Sequence, residues 1–157
     1  MHHGIRRATE KDVNAIHELL EPYSDTGIIL ERTREEILRS INTFYVAEEG
    51  KELVGAVSYC DYGPRLKEVR SLAVKAGRSK RGTGSNLLEF LLRALVDLFP
   101  EARIFVLTYS PGFFRRHRFQ EVLKDSLPEK IWKDCNHCRN RESCGETAMM
   151  YTNLEGQ

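Results

Sequence analysis

A chain of 157 residues has the length of one ordinary domain and enough material to bury a core. Its 24 cations nearly balance its 23 anions, so no general attraction to polyanions follows and nucleic acid is not an expected partner. No stretch approaches the roughly 20 apolar residues of a membrane span. No charged-then-apolar signal opens the chain, so no membrane partner and a cytoplasmic location are expected.

The elements follow in chain order. GIRRA, residues 4–8, reads as a short strand. Thr9 with Asp12 forms a capping-box pattern, and Val13, Ile16, Leu19 and Leu20 then fall at helical spacing. Thr33 with Glu36 repeats that start signal ahead of Ile37, Leu38 and Ile41. FYVAEE, ELVGAVSYC and EVRSLAV read as three successive strands, the first two joined by a turn at Gly50 and Lys51. Leu87, Leu88, Leu91, Leu92 and Leu95 mark a helix face that reads as core packing. ARIFVLTY is a buried strand and GFFRRH a short helical turn; FQEVL and TAMMYTNL are late strands. The order β-α-α-β-β-β-α-β-α-β-β predicts one α/β domain over 1–157, a mixed central sheet flanked by helices. His17 and His117 read as surface residues.

Ahead of the leucine stripe, RSKRGTG crowds three cations and two glycines together. A P-loop needs lysine after its second glycine; Gly77 and Gly82 have the spacing, but Thr83 follows. A dinucleotide fingerprint would need glycine at 87, where Leu87 stands. What remains is strand, loop, helix. Gly82 and Gly84 let a ligand approach the backbone, and the N–H groups and dipole of a helix start favour an anion such as a pyrophosphate. Arg78, Lys80 and Arg81 would be poorly placed there without one. The bland alternative is a solvated basic turn.

The stretch EVRSLAVKAGRSKRGTGSNLLEFLL resembles the acetyl-CoA-binding core of the GNAT acyltransferases, a strand read as S-L-A-V followed by an R/Q-x-x-G-x-G/A loop. Ser79 holds the usual Arg or Gln place, with Arg78 adjoining. FFRRHRF is similar to the family's F-Y-x-x-x-G-F, with Phe114 for Tyr and Arg118 for Gly. One branch resembles the chain from about Gly4 to Met150: IRRATEKDVNAIHELL, GIILERTREEILRSINTFYV, FVLT and LPEKIWKD look like the acetyltransferase domain of N-acetylglutamate synthases, with Leu30, Arg32 and Thr33 as the more specific marker. The amino-acid-kinase domain that family often carries has no counterpart in the sequence. The resemblance implies acetyl-CoA as cosubstrate, held by Leu72, Ala73, Val74, Lys80, Arg81, Gly82, Thr83, Gly84, Ser85 and Phe114. It implies L-glutamate or a similar amine as partner, bound by Leu30, Arg32, Arg70 and Arg141, and leaves a homodimer open.

Residue chemistry bears on the same reading. An arginine fork binds a carboxylate bidentately. Arg32 and Arg34 flank the N-cap Thr33, where cations oppose the helix dipole and a substrate carboxylate would be welcome; alternatively both are surface charges paired with Glu31, Glu35 or Glu36. Transfer requires an ammonium to lose a proton before nitrogen attacks the thioester. Glu68 is the candidate base, acting through a water, unless it is an exposed strand residue beside Lys67. The resemblance implies the Leu72 N–H as oxyanion donor. Phe114 cannot act as the tyrosine acid of many GNAT enzymes; Ser110 or Tyr109 could donate instead, and a thiol with a pKa of about 8.5 leaves with little help.

Four cysteines without an export signal read as reduced thiols or metal ligands. Cys135, Cys138 and Cys144, in an insertion at about 134–146, could bind zinc with His137 or Cys60 as fourth ligand. A second ligand pair is missing, so no metal is the favoured reading. A second function class stays open: a zinc-stabilised interaction or nucleic-acid-binding domain. Balanced charge and the lack of interleaved aromatics around 78–81 weigh against it. Another amino acid, a polyamine or a protein amine remains an alternative acceptor.

Overall fold

The computed structural model describes residues 4–25, 32–77, 82–127 and 146–152. The chain forms two compact units, Met1–Ala102 and Arg103–Gln157. In the first, β1 (Ile5–Arg7), β2 (Phe44–Glu49), β3 (Glu52–Asp61) and β4 (Leu66–Val74) form an antiparallel array in that order. Three helices accompany it: α1 (Val13–Asp25), α2 (Arg34–Arg39) and α3 (Thr83–Leu98). The element order is the one the sequence predicts.

Both helix-start signals operate. Asp12 closes the capping box with Thr9 and also takes two hydrogen bonds from the Arg6 guanidinium, at 2.8 and 3.0 Å. The Thr33 hydroxyl accepts from the Glu36 N–H at 3.1 Å. Along β2, alternate residues serve opposite faces. Phe44 and Val46 join Ala56 and Ala73 in a core with Ile16, Leu20, Ile37 and Ile41 from the α1 and α2 segment. Tyr45 instead meets Phe90 of α3, with ring centroids 5.5 Å apart. Both faces are covered, so β2 and β3 read as continuous apolar runs rather than alternating ones.

Leu87, Leu88, Leu91, Leu92 and Leu95 of α3 are all essentially buried, worth about 1.5–3 kcal/mol apiece relative to exposure. Gly55 lets this helix lie close to β3. A Cβ at Gly55 would stand 2.7 Å from Leu87 Cδ1 and 3.1 Å from Thr83 Cγ2. The missing side chain therefore sets how near the first turn of α3 comes to the sheet.

One irregularity breaks the β3–β4 ladder. Ser58 pairs with Arg70 and Ala56 with Ala73, so Ser71 and Leu72 together face Val57. This is a β-bulge, and Ser71 sits in it at φ 54°.

In the second unit, β5 (Arg103–Thr108), β7 (Thr147–Tyr151) and β6 (Phe119–Glu121) pair antiparallel in that order, with α4 (Pro111–Arg115) between β5 and β6 in sequence. Phe114 is buried and packs edge-on to Phe119 at 5.3 Å. Arg118 adopts φ 71°, and its carbonyl accepts from the Thr152 N–H at 2.8 Å and hydroxyl at 2.7 Å. Left-handed backbone favours glycine, which gives a physical reason for the glycine of the F-Y-x-x-x-G-F pattern at this place.

Two expectations of exposure change. The alternative of Glu68 as an exposed strand residue does not hold, because Glu68 is buried, as is its neighbour Lys67. Neighbours on β4 face opposite sides, and each side provides partners. His17 is not a plain surface residue: its Nδ1 is buried, 3.6 Å from Glu21. No helix among the described residues is long and apolar enough to cross a membrane.

Candidate acceptor and cofactor site

Arg32 lies just before Thr33, and its guanidinium reaches across the face of the sheet that carries Phe44. Nη1 donates to the Ser58 hydroxyl at 3.3 Å and to the Ser71 hydroxyl at 3.2 Å; Nη2 donates to the Ser40 hydroxyl at 2.8 Å. The guanidinium carbon stands 5.1 Å from the Phe44 ring centroid, a cation–π distance. No carboxylate among the described residues forms an ion pair with it. Burial, reinforced by the charge of Arg70, holds its pKa below the ordinary arginine value; Glu36 opposes this only as a longer-range charge. Pairing of Arg32 with Glu35 or Glu36 is therefore not found, and Glu31 lies outside the described residues. Arg34 is the exposed one of the two, bonded to the Asn14 side chain at 2.9 Å.

The same strand segment carries a second cluster. Arg70 Nε donates to Glu68 Oε1 at 2.6 Å, and its Nη2 donates to the Tyr62 hydroxyl at 2.7 Å. The Tyr62 hydroxyl in turn donates to Glu68 Oε1 at 3.1 Å. Glu68 and Arg70 lie two residues apart and so share a strand face, the one their ladder partners Cys60 and Ser58 occupy. Arg32, Glu68 and Arg70 thus gather beside the bulge that contains Leu72. Two guanidiniums and one carboxylate leave these three with a net positive charge, suited to an anionic acceptor.

Lys67 points to the other face and belongs to a separate arrangement. Its Nζ donates to Asp61 at 2.6 Å and to the Gly63 carbonyl at 2.7 Å, and stands 4.0 Å from the Phe99 ring centroid. It ties the β3–β4 turn together and takes no part in the cluster.

The cofactor segment is described from Gly82 onward. Gly82, at φ 78°, is the N-cap of α3, and no acidic side chain occupies the first turn. The first amides of a helix have no intrahelical acceptor; Thr83 and Gly84 stand at that end, followed by Ser85. Ala73 and Val74 are buried on β4 after the bulge. Ser110 is exposed at the N-cap of α4 in the second unit, its N–H bonded to the Thr108 hydroxyl at 2.8 Å. Leu30, Arg78, Lys80, Arg81, Arg141, Cys135, Cys138 and Cys144 lie outside the described residues. Among the described residues, no three His, Cys, Asp or Glu side chains converge as a metal site.

Sequence reasoning missed Ser40, Ser58, Ser71 and Tyr62. Tyr62 was findable as a polar residue directly after a strand whose neighbour carries charges. The serines had no local signal, because 8, 26 and 39 residues separate them from Arg32.

Comparison with known proteins bears on the family and the fold. The acetyltransferase (GNAT) domain model matches residues 40–121. An uncharacterized N-acetyltransferase of Chlorobaculum tepidum is 37% identical over 150 residues, 94% of this chain and 95% of that protein. An amino-acid acetyltransferase of Mycobacterium tuberculosis is 34% identical, over 87% of this chain and 78% of its own length. A Mycobacterium tuberculosis protein solved in complex with CoA superposes with a TM-score of 0.81 at 26% identity, over 96% of this chain and 99% of that one. The N-acetylglutamate synthase of Neisseria gonorrhoeae, complexed with coenzyme A and N-acetyl-glutamate, gives 0.84 at 25% identity; it covers 94% of this chain, which spans 34% of that one. A binding domain without catalysis is thereby set aside, and acetyl-CoA fits as the cosubstrate. The chain belongs to the GNAT acetyltransferase family: it is an acetyl-CoA-dependent N-acetyltransferase with the α/β fold of that family.

Proposed function

We propose that the acceptor is L-glutamate, acetylated on its α-amine to N-acetylglutamate, the reaction that the resemblance links to arginine biosynthesis. The observation that carries this is Arg32: a half-buried guanidinium, held by hydroxyls and a ring, with no described carboxylate to neutralise it. Charge buried in this way is costly without a partner, and a substrate carboxylate supplies one through a bidentate contact. The relatives named amino-acid acetyltransferase, and the N-acetylglutamate synthase complexed with N-acetyl-glutamate, support the same acceptor class.

In this reading the substrate ammonium is drawn toward Glu68. Arg70 and the Tyr62 hydroxyl fix that carboxylate in place. Glu68 takes the ammonium proton through a water and passes it on to solvent. The free amine then attacks the thioester carbonyl, and the developing oxyanion faces the Leu72 N–H in the bulge, where the ladder is locally interrupted. The C–S bond breaks and CoA leaves as a thiolate, which needs little acid assistance at a pKa of about 8.5 and takes up the second proton as the amide nitrogen sheds it. Gly82, Thr83, Gly84 and Ser85 present the helix start to the CoA pyrophosphate, with Lys80 and Arg81 adding charge.

A thiol-release assay with acetyl-CoA tests this against glutamate, glutamine, aspartate, spermidine and a peptide amine. Glutamate is expected to show the highest kcat/KM. Turnover of spermidine or the peptide with none of glutamate would remove the glutamate reading and leave the acetyltransferase assignment standing.

A further inference from the structure

The contacts around Arg32 carry one step more. Two other part-buried arginines of the same unit are met by carboxylates, Arg6 by Asp12 and Glu48 and Arg70 by Glu68. Arg32 is met by hydroxyls alone among the described residues. Two of those hydroxyls have their protons already committed. The Ser40 hydroxyl donates to the Glu36 carbonyl at 2.8 Å, and the Ser58 hydroxyl donates to the Arg70 carbonyl at 3.3 Å. Each therefore turns a lone pair, not a proton, toward the guanidinium. With Ser71 they take both protons of Nη1 and one of Nη2. Of the five guanidinium donors, Nε–H and one on Nη2 have no acceptor among the described residues, the number a carboxylate uses in a bidentate contact.

We infer that Ser40 and Ser58 are positioning residues that make the site select an anionic acceptor, by fixing the Arg32 fork without cancelling its charge. This rests on the reading of Arg32 as the carboxylate-binding residue. A carboxylate at either place would hold the fork as firmly but neutralise it, and the acceptor would meet an ion pair instead of a cation. Neutral acceptors with fixed protons do the holding and leave the charge for the substrate. Ser40 suits replacement well, because the Glu36 carbonyl keeps the Ser40 backbone N–H at 3.1 Å when the hydroxyl is gone.

The test compares Ser40→Ala, Ser58→Ala, Ser40→Asn, Ser40→Asp and Arg32→Ala in steady-state kinetics with acetyl-CoA and L-glutamate, with melting temperature recorded for each. Each alanine variant is expected to raise the glutamate KM about 3- to 10-fold, the size of one ordinary net hydrogen bond, since the fork loses only one of its several anchors. The acetyl-CoA KM should not move, and kcat should change by less than the glutamate KM. Ser40→Asp should raise the glutamate KM at least about 10-fold beyond the neutral isostere Ser40→Asn, a difference that charge alone explains. Equal constants for Asp and Asn overturn the inference, as do alanine variants with unchanged glutamate KM beside an Arg32→Ala that raises it. If Ser58→Ala fails to fold, the Ser40 series decides alone. Unchanged glutamate KM in Arg32→Ala would defeat the proposed function itself, a separate result from a dispensable cradle.

Discussion

Replacing Arg32 by Met separates stability from binding, because the two should move differently. In the empty enzyme the substitution removes three hydrogen bonds to serine hydroxyls and a contact with Phe44. Two of those hydroxyls keep their bonds to backbone carbonyls, so neither is orphaned. Against these losses stands relief of a guanidinium whose burial already disfavours its charged form. Exchange of a buried ion for an apolar side chain of similar length is often neutral or stabilising, so melting should stay level or rise. With glutamate present the balance reverses. The carboxylate loses a charge-assisted partner inside a partly desolvated site, on the order of 2–4 kcal/mol. That is roughly 30- to 1,000-fold in kcat/KM at 1.4 kcal/mol per decade. Arg32→Lys should recover only part, since an ammonium keeps the charge but not the fork. Glutamine locates the contact: if Arg32 reads the side chain, glutamine suffers less than glutamate; if it reads the α-carboxylate, both suffer equally. Thiol release gives the kinetics and calorimetry the melting. A variant that melts several degrees lower while its glutamate kcat/KM is unchanged would refute the reasoning.

Three further outcomes follow from the geometry. Gly84→Asp puts an anion in the first turn of α3 where the pyrophosphate should sit, so a folded variant should lose acetyl-CoA binding by calorimetry; unchanged affinity would remove the assignment. Arg118→Gly should melt about 2–4 °C above Arg118→Ala, because φ 71° costs an L-residue roughly 1–2 kcal/mol, partly offset by glycine's greater freedom in the unfolded chain. Asp12 has its pKa lowered, chiefly by the hydrogen bond from Arg6, so its contribution to stability is present above the unfolded carboxylate value near 3.9 and is lost as pH falls through the folded value. Asp12→Asn should therefore cost about 1–3 kcal/mol in urea melts at pH 7, and the gap from wild type should narrow as pH falls below about 4.

Local signals determined much of this protein. Thr9, Asp12, Thr33 and Glu36 announce two helix starts because a cap needs an oxygen within three residues of the amide it satisfies. The leucines from 87 to 95 recur at helical spacing because one face of α3 must be buried. The order of strands and helices, and with it the family resemblance, follows from such short-range rules. The site obeys different rules. Ser71 reaches Arg32 through a bulge that adds one residue to β4 opposite Val57, and nothing in S-L-A-V as a string shows where a ladder slips. Glu68 and Lys67 look alike as exposed charges until the fold covers both sides of β4 and gives each its own partners. Ser40, Ser58 and Ser71 are ordinary serines, and only tertiary structure brings them to one guanidinium. Secondary structure is encoded within a few residues, whereas a charge held without neutralisation depends on which distant groups arrive beside it and which do not.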